Sequence, residues 1–339
     1  MKRRDFVRSA TAALGAGAAL RAAGARAAEA APAAAPAIRF GYASITWGGN
    51  DRQAIDDVAA LGFAGIQLRA NVLAEFGDKP AALKELLQAH KLTMVALSSG
   101  GVSVTAPAEE EIAKHARNAA FVRDVGGLFL QVTDQLPKGR PAAADDRKAL
   151  GKVMTEIGKR SAELGVPLGY HNHMNSLGER PGEVEEILAA SDPKYVRLEL
   201  DVAHYLQGGG DPVQAIERHH DRLLFLHIKD VEPVPPAAGA DPARSYRFVE
   251  LGRGRVDLPG VFAALRKAGF KGWAVVELDA VPDKGRTPKE SGQISKAYLE
   301  KLGLTVGIEL GGASGAPPRP PARSAGVNPA SLAARARRS

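Results

Sequence analysis

Eight short apolar segments rich in β-branched residues alternate with amphipathic stretches of roughly ten to eighteen residues between Ile38 and Leu310. This pattern predicts an α/β fold in which parallel strands are joined by helical crossovers. No Gly-rich dinucleotide fingerprint follows the first segment, which favours a closed (β/α)8 TIM barrel, a single domain over residues 38–310, over an open doubly wound sheet.

The strands are predicted at Ile38–Ser44, Gly65–Leu68, Thr93–Leu97, Leu128–Thr133, Pro167–Asn172, Val196–Asp201, Leu223–Ile228 and Trp273–Leu278. The helices between them carry their own punctuation. One starts at Asp51 and ends at Leu61, where Gly62 can take the left-handed position past the last turn. Asp211 followed by Pro212 supplies an N-cap and a proline at the first helical position. Asp257 caps the helix that ends at Ala268-Gly269.

The chain has 339 residues, with 45% hydrophobic and 24% charged residues, the balance of a globular protein with a sizeable core. Its net charge of +7 is concentrated at the two ends. Residues 1–29 carry six basic and two acidic groups and the tail from Gly312 carries five arginines and no acid, which leaves the middle at −2. A slightly acidic body offers no electrostatic footprint for nucleic acid, so a nucleic-acid partner is not expected. The absence of cysteine excludes disulfides, thiolate metal sites and cysteine nucleophiles.

The basic patch Lys2-Arg3-Arg4, the Ala/Gly-rich stretch Ala10–Leu20 and the small-x-small run Ala25-Arg26-Ala27 have the order of a secretion signal. Arg3-Arg4-x-Phe-Val resembles a twin-arginine signal, which implies export of the folded protein to the periplasm or medium. Arg21 and Arg26 interrupt any apolar run, so no membrane anchor is expected. Residues 1–28 are therefore read as a leader, 29–37 as a linker, and 311–339, with Pro317-Pro318-Arg319-Pro320-Pro321, as a disordered basic tail.

In a barrel of this type chemistry sits at the C-terminal ends of the strands. The last four strands all end in groups able to ligate a metal or move protons: Tyr170-His171-Asn172-His173, Glu199-Leu200-Asp201 with His204 beyond, His227-Ile228-Lys229-Asp230 and Glu277-Leu278-Asp279. His, Asp, His and Glu converging on one axis need a cation to offset their repulsion and desolvation. A mixed nitrogen and oxygen shell suits Mn2+, Mg2+, Co2+ or Zn2+, with Mn2+ favoured.

The runs Leu-Gly-Tyr-His-Asn-His, Leu-Glu-Leu-Asp-Val-Ala-His, Leu-His-Ile-Lys-Asp, Glu-Leu-Gly-Arg-Gly-Arg-Val-Asp and Val-Val-Glu-Leu-Asp resemble those of the xylose-isomerase-like sugar phosphate isomerase/epimerase superfamily. The resemblance covers residues 38–306 and places the metal ligands at His171, Asp201, His227 and Glu277. It implies an enzyme acting on a small carbohydrate or cyclitol through an enediolate. Glu277 is then the favoured base, His173 or His204 the proton donor, and Trp47, Lys229 and Arg253 the substrate contacts.

Some positions depart from relatives. His171 stands where ketose 3-epimerases carry a Glu, whereas His-x-His-Met is similar to inosose dehydratases. Gln67 stands where relatives often have an acid, and Gln67, Ser98 and Ser99 replace what a trinuclear nuclease centre requires. The turn Gly252-Arg253-Gly254-Arg255 lacks the strand-to-helix setting of a phosphate loop. His115, His219 and His220 are expected to be structural or exposed. The leading expectation is a metal-dependent sugar or polyol isomerase or epimerase. The alternatives are a dehydratase or lyase on a keto-cyclitol or 3-keto-glycoside, and a non-catalytic sugar-binding barrel.

Overall fold

The computed structural model describes residues 38–239 and 241–307. The leader, the linker and the basic tail lie outside the described residues. Among the described residues ten strands form: β1 (Ile38–Ala43), β2 (Gly65–Arg69), β3 (Thr93–Val102), β4 (Phe129–Asp134), β5 (Leu168–His171), β6 (Val196–Asp201), β7 (Leu223–Ile228), β8 (Asp230–Pro233), β9 (Tyr246–Val249) and β10 (Gly272–Val276). Eight close into a parallel barrel in the order β1-β10-β7-β6-β5-β4-β3-β2, as the alternating pattern predicts. Among the described residues no helix is long and apolar enough to cross a membrane.

Every expected barrel strand forms, β6 and β7 with the expected bounds and the other six with shifted ends. β3 continues to Val102 because its register slips between Ser98 and Gly101 and then resumes against Thr133 and Asp134. The helix expected at Asp51 spans Asp51–Leu61 and is capped by the Asn50 side chain, which accepts from the Gln53 N–H. Asp211 and Asp257 cap the helices Pro212–His219 and Leu258–Lys267 as expected. An antiparallel hairpin, β8 with β9, was not anticipated; it stands on the barrel mouth after β7.

The barrel interior is built in layers because side chains along a strand alternate between its two faces. Trp273, Phe225, Val95 and Val275 fill the lower interior, with Phe129 stacked on Phe225 at 5.4 Å between centroids. Gly65 makes room for this floor, since a Cβ there would lie 2.7 Å from the Trp273 ring. Two residues up from Phe225, Val275 and Gly169 stand His227, Glu277 and His171, so the same parity that plugs the bottom aims these groups inward at the top. Outside the barrel, the helix Ala144–Glu163 presses Gly158 onto the strand-entry loop, where a Cβ would lie 2.3 Å from the Tyr195 carbonyl oxygen.

Candidate active site

Asp201 ends β6 and begins the helix Val202–Gln207. Its Oδ1 accepts from the N–H groups of Ala203 at 2.9 Å and His204 at 2.8 Å, leaving Oδ2 buried with no hydrogen-bond partner. Asn172 fixes this turn to β5: Asp201 N donates to Asn172 Oδ1 at 3.0 Å, and Asn172 Nδ2 donates to the Asp201 carbonyl at 3.3 Å. Helix capping thus aims one carboxylate oxygen into the mouth.

Around that oxygen the structure gathers all four sequence-predicted ligands. His227 Nδ1 lies 3.6 Å from Asp201 Oδ2 and 3.4 Å from Glu277 Oε1. His171, Asp201, His204 and Glu277 each offer a donor atom within 4.8 Å of the others. Glu199, one inward position below Asp201, was missed. Its carboxylate touches His171 Nδ1 and lies 3.4 Å from His227 Nδ1, and both its oxygens lack a hydrogen-bond partner. Gln67 closes the arrangement from across the barrel, its Oε1 at 2.8 Å from His227 Nε2. With Nε2–H donating to Gln67, Nδ1 of His227 is the nitrogen turned toward the carboxylates, where it carries a proton that a bound cation would displace.

Lys229 is fully buried, as no lysine is without strong partners. Its Nζ donates to Glu277 Oε1 at 3.0 Å and to Asp279 Oδ1 at 2.5 Å, and rests 4.0 Å over the Phe248 ring. Burial opposes charge on both partners, yet His227 and Lys229 hold the Glu277 carboxyl well below the usual range. Asp201 is likewise held down, against burial, by His204 and Lys229. His227 moves well above the usual imidazole value because Glu199 and Glu277 outweigh its desolvation. Asp201 and Glu277 therefore stand as buried carboxylates beside the Lys229 ammonium and the His227 imidazolium, with the Glu199 side chain buried among them. Unpartnered oxygens and imidazole nitrogens in an over-acidic, water-poor cluster are the chemistry of a divalent cation site, and the residues fit one.

A cavity of about 360 Å³ opens over this cluster, lined among others by Gln67, Arg69, Ser98, Gln131, His171, His173, His227, Glu277 and Asp279. His173 faces it. Burial and His171 push the His173 pKa down, and its Nδ1 lies 2.6 Å from the Met174 carbonyl oxygen. That acceptor fixes the proton on Nδ1 and leaves Nε2 as a neutral base. His204 sits behind, its ring tilted 38° to that of His173 with 3.8 Å between centroids, and is almost wholly buried. Its Nδ1 accepts from the Met174 N–H at 3.3 Å, and burial with Lys229 drives its pKa well below normal.

Three expected substrate contacts need correction. Trp47 packs away from the cavity, its indole N–H donating to Asp57 Oδ2 at 2.9 Å and its ring edge-on to Tyr42. Arg253 faces a different cleft, beside Glu250 and Arg286. Lys229 does not line the cavity; its ammonium is taken up by Glu277 and Asp279. Asp230 instead organises the Gly252–Arg255 turn, accepting from the N–H groups of Val231, Gly252, Gly254 and Val256. Gly254 is required there, since a Cβ would lie 2.2 Å from Asp230 Oδ1. The amides a phosphate loop would offer are already spent on this internal carboxylate. His115 is structural, as expected, with Nδ1 at 2.6 Å from Ser99 Oγ.

The profile of the Xylose isomerase-like TIM barrel family matches residues 55–302. The chain belongs to that family. An inosose dehydratase of Lacticaseibacillus casei is 26% identical over 292 residues, covering 78% of this chain and 96% of the relative. Among solved structures, the IOLI protein with a bound zinc atom superposes with a TM-score of 0.65 at 19% identity, over 78% of this chain and 97% of that one. A probable 3-DHS dehydratase of Bacillus anthracis superposes with a TM-score of 0.62 at 17% identity, over 77% and 98% of the two chains. These structural likenesses establish the barrel. Members of this family that resemble the chain are enzymes of small sugars and cyclitols, dehydratases among them.

Proposed function

We propose that this member of the xylose isomerase-like family is a metal-dependent lyase that dehydrates a keto-cyclitol or related cyclic keto-polyol. The dehydratase reading, the alternative at the level of sequence, is better supported than isomerisation or epimerisation. One observation carries it: the mouth offers one neutral base, His173, in place of two facing acid/base carboxylates. Glu277, the expected base, is held ionised by His227 and Lys229 and is suited to ligation rather than proton transfer. The likeness to inosose dehydratase points the same way.

Asp201, His227 and Glu277, with His171 on β5, would hold the cation, and Glu199 and Gln67 orient the two imidazoles. A divalent ion in that place supplies Lewis-acid polarisation of the substrate carbonyl. His173 Nε2 takes the proton from the carbon next to the carbonyl, and the C–H electron pair moves into the C–C bond toward the oxygen. The imidazolium then gives its proton to the departing β-hydroxyl as the electron pair returns to form the C=C bond. Water leaves and His173 is neutral again, so one residue serves both halves of a same-face elimination. We further propose that the ion is Zn2+ or Mn2+, and that the twin-arginine-like leader directs the folded enzyme out of the cytoplasm.

The test is incubation of the metal-loaded full chain with 2-keto-myo-inositol, read by mass spectrometry and enone absorbance. Loss of one water per substrate, slowed about 10²–10⁴-fold by His173→Ala, is the expected result. An epimer of unchanged mass would return the isomerase reading to first place.

A further inference from the structure

The wall of the cavity opposite the proposed metal donors carries a row of polar groups that the dehydration does not use. Parallel pairing sets Arg69 of β2 beside Ser98 of β3, and Ser98 beside Gln131 of β4. All three line the mouth cavity. Arg69 shares the inward face of Gln67, two residues before it, so its guanidinium belongs to the mouth and not to the outer helical layer.

The other charged groups of the cavity are answered within the protein. Asp279 and Glu277 take Lys229, and Asp134 accepts from the Tyr170 hydroxyl and the Leu177 N–H. Arg69 has no hydrogen bond or ion pair with any group among the described residues, and neither has the Ser98 hydroxyl. Asp51 senses the charge of Arg69 but is not bonded to it, its oxygens being occupied by Ser44 and Asn71. A guanidinium, a hydroxyl and an amide in register form a donor-rich strip ending in an exposed positive charge that no protein group hydrogen-bonds among the described residues. A guanidinium presents paired N–H groups that match the two oxygens of a carboxylate.

We propose that Arg69, with Ser98 and Gln131, binds an anionic substituent on the substrate, so that the enzyme acts on a cyclic keto-polyol bearing a carboxylate rather than on a neutral one. This rests on the keto-polyol reading above but concerns the end of the ring remote from the reacting carbonyl. Arg69 is a specificity residue: it selects the substrate and holds it at a fixed distance from His173, without taking part in proton transfer.

Equilibrium binding separates the two ideas, because ligands without a ketone cannot react. Calorimetric titration of the full chain, with and without Zn2+, would use quinate as the carboxylated ring, myo-inositol as the neutral ring and myo-inositol 1-phosphate as the phosphorylated one. Quinate is expected to bind at least tenfold more tightly than myo-inositol. Arg69→Gln should remove that preference while leaving myo-inositol affinity within twofold, and Arg69→Lys should restore part of it. Tighter binding of the phosphate than of quinate, equally lost in Arg69→Gln, would support the anion subsite and name phosphate as its occupant. Equal affinity for the charged and neutral rings, no binding of any of them, or a preference that survives Arg69→Gln would overturn the proposal. Failure of the keto-cyclitol to lose water would instead count against the lyase reading and leave these affinities unaffected.

Discussion

The barrel mouth has two unlike halves. β5, β6, β7 and β10 are contiguous in the barrel and bring His171, Glu199, Asp201, His227 and Glu277 into one buried, over-acidic cluster. β1 to β4 offer amides, hydroxyls and a single guanidinium, Gln67, Ser98, Gln131, Thr133 and Arg69, while the carboxylate of Asp134 at the end of β4 is taken up by the Tyr170 hydroxyl and the Leu177 N–H. The two halves share one fold and one inward parity, yet the first is built to hold charge and the second to read shape. Gln67 is the stitch between them, reaching from β2 to His227 on β7. The difference teaches that reactivity is confined to groups whose charges are mutually enforced, whereas discrimination is left to groups that wait for a partner.

Neutralising a carboxylate in the charged half should have the largest effect. Asp201→Asn keeps the helix-capping oxygen, which accepts from Ala203 and His204, but removes negative charge where Oδ2 lies unpartnered. Metal bound per chain, by elemental analysis, and turnover should fall together, turnover by about 10³-fold or more, on the scale of a lost electrostatic contact at the reacting atoms. Melting temperature should change little. Retention of both metal and turnover would break the division of labour between the halves.

Glu199→Gln tests whether the charged half depends on its hidden member. Glu199 touches His171 and His227 without lining the cavity, so its role is to orient and polarise imidazoles. Metal affinity is expected to weaken about 10–100-fold, the usual cost of losing such an outer partner. The affinity of quinate for Arg69 in the metal-free chain should stay unchanged. A loss of quinate binding would show that the halves are not independent.

The legible parts of the molecule are those whose signal is local. Strand order and closure follow from alternating patterns, and His171, Asp201, His227 and Glu277 stand out because each is a chemically capable residue at a strand end. Glu199 was hidden because its partner His171 is set by the register between β5 and β6, which no single segment contains. Period two was the available signal, since Glu199 and Asp201 share a face. Gln67 read as a lost acid, when its amide oxygen is what orients His227. Trp47 and Arg253 were misplaced because one ends a four-residue 3-10 helix and the other lies in a turn, segments too short for periodicity to report direction. The β8–β9 hairpin escaped because its strands are four residues each and flank the Pro- and Ala-rich segment 234–245.

The quiet half also carries the acid-side weakness, and here the expected effect is smallest. His115 packs behind β3, with Nδ1 at Ser99 Oγ and Nε2 3.4 Å from Glu111 Oε2. Burial, helped by Lys114, lowers its pKa from 6.5 to about 4. The folded protein therefore binds fewer protons than the unfolded chain between those two values, and stability rises with pH across that window. The contribution of neutral His115 is complete above pH 6.5 and is lost as the pH falls toward 4. Lowering the pH from about 7.5 to about 5.5 should cost roughly 1 kcal/mol through this group. Urea unfolding of the wild type and of His115→Asn at both pH values isolates it, because other titrating groups cancel in the difference. The variant should be less stable at both, and its deficit should shrink by about that amount at the lower pH. A deficit that is the same at both pH values would mean His115 keeps an ordinary affinity for protons, and would move the acid sensitivity of the fold to the charged half of the mouth.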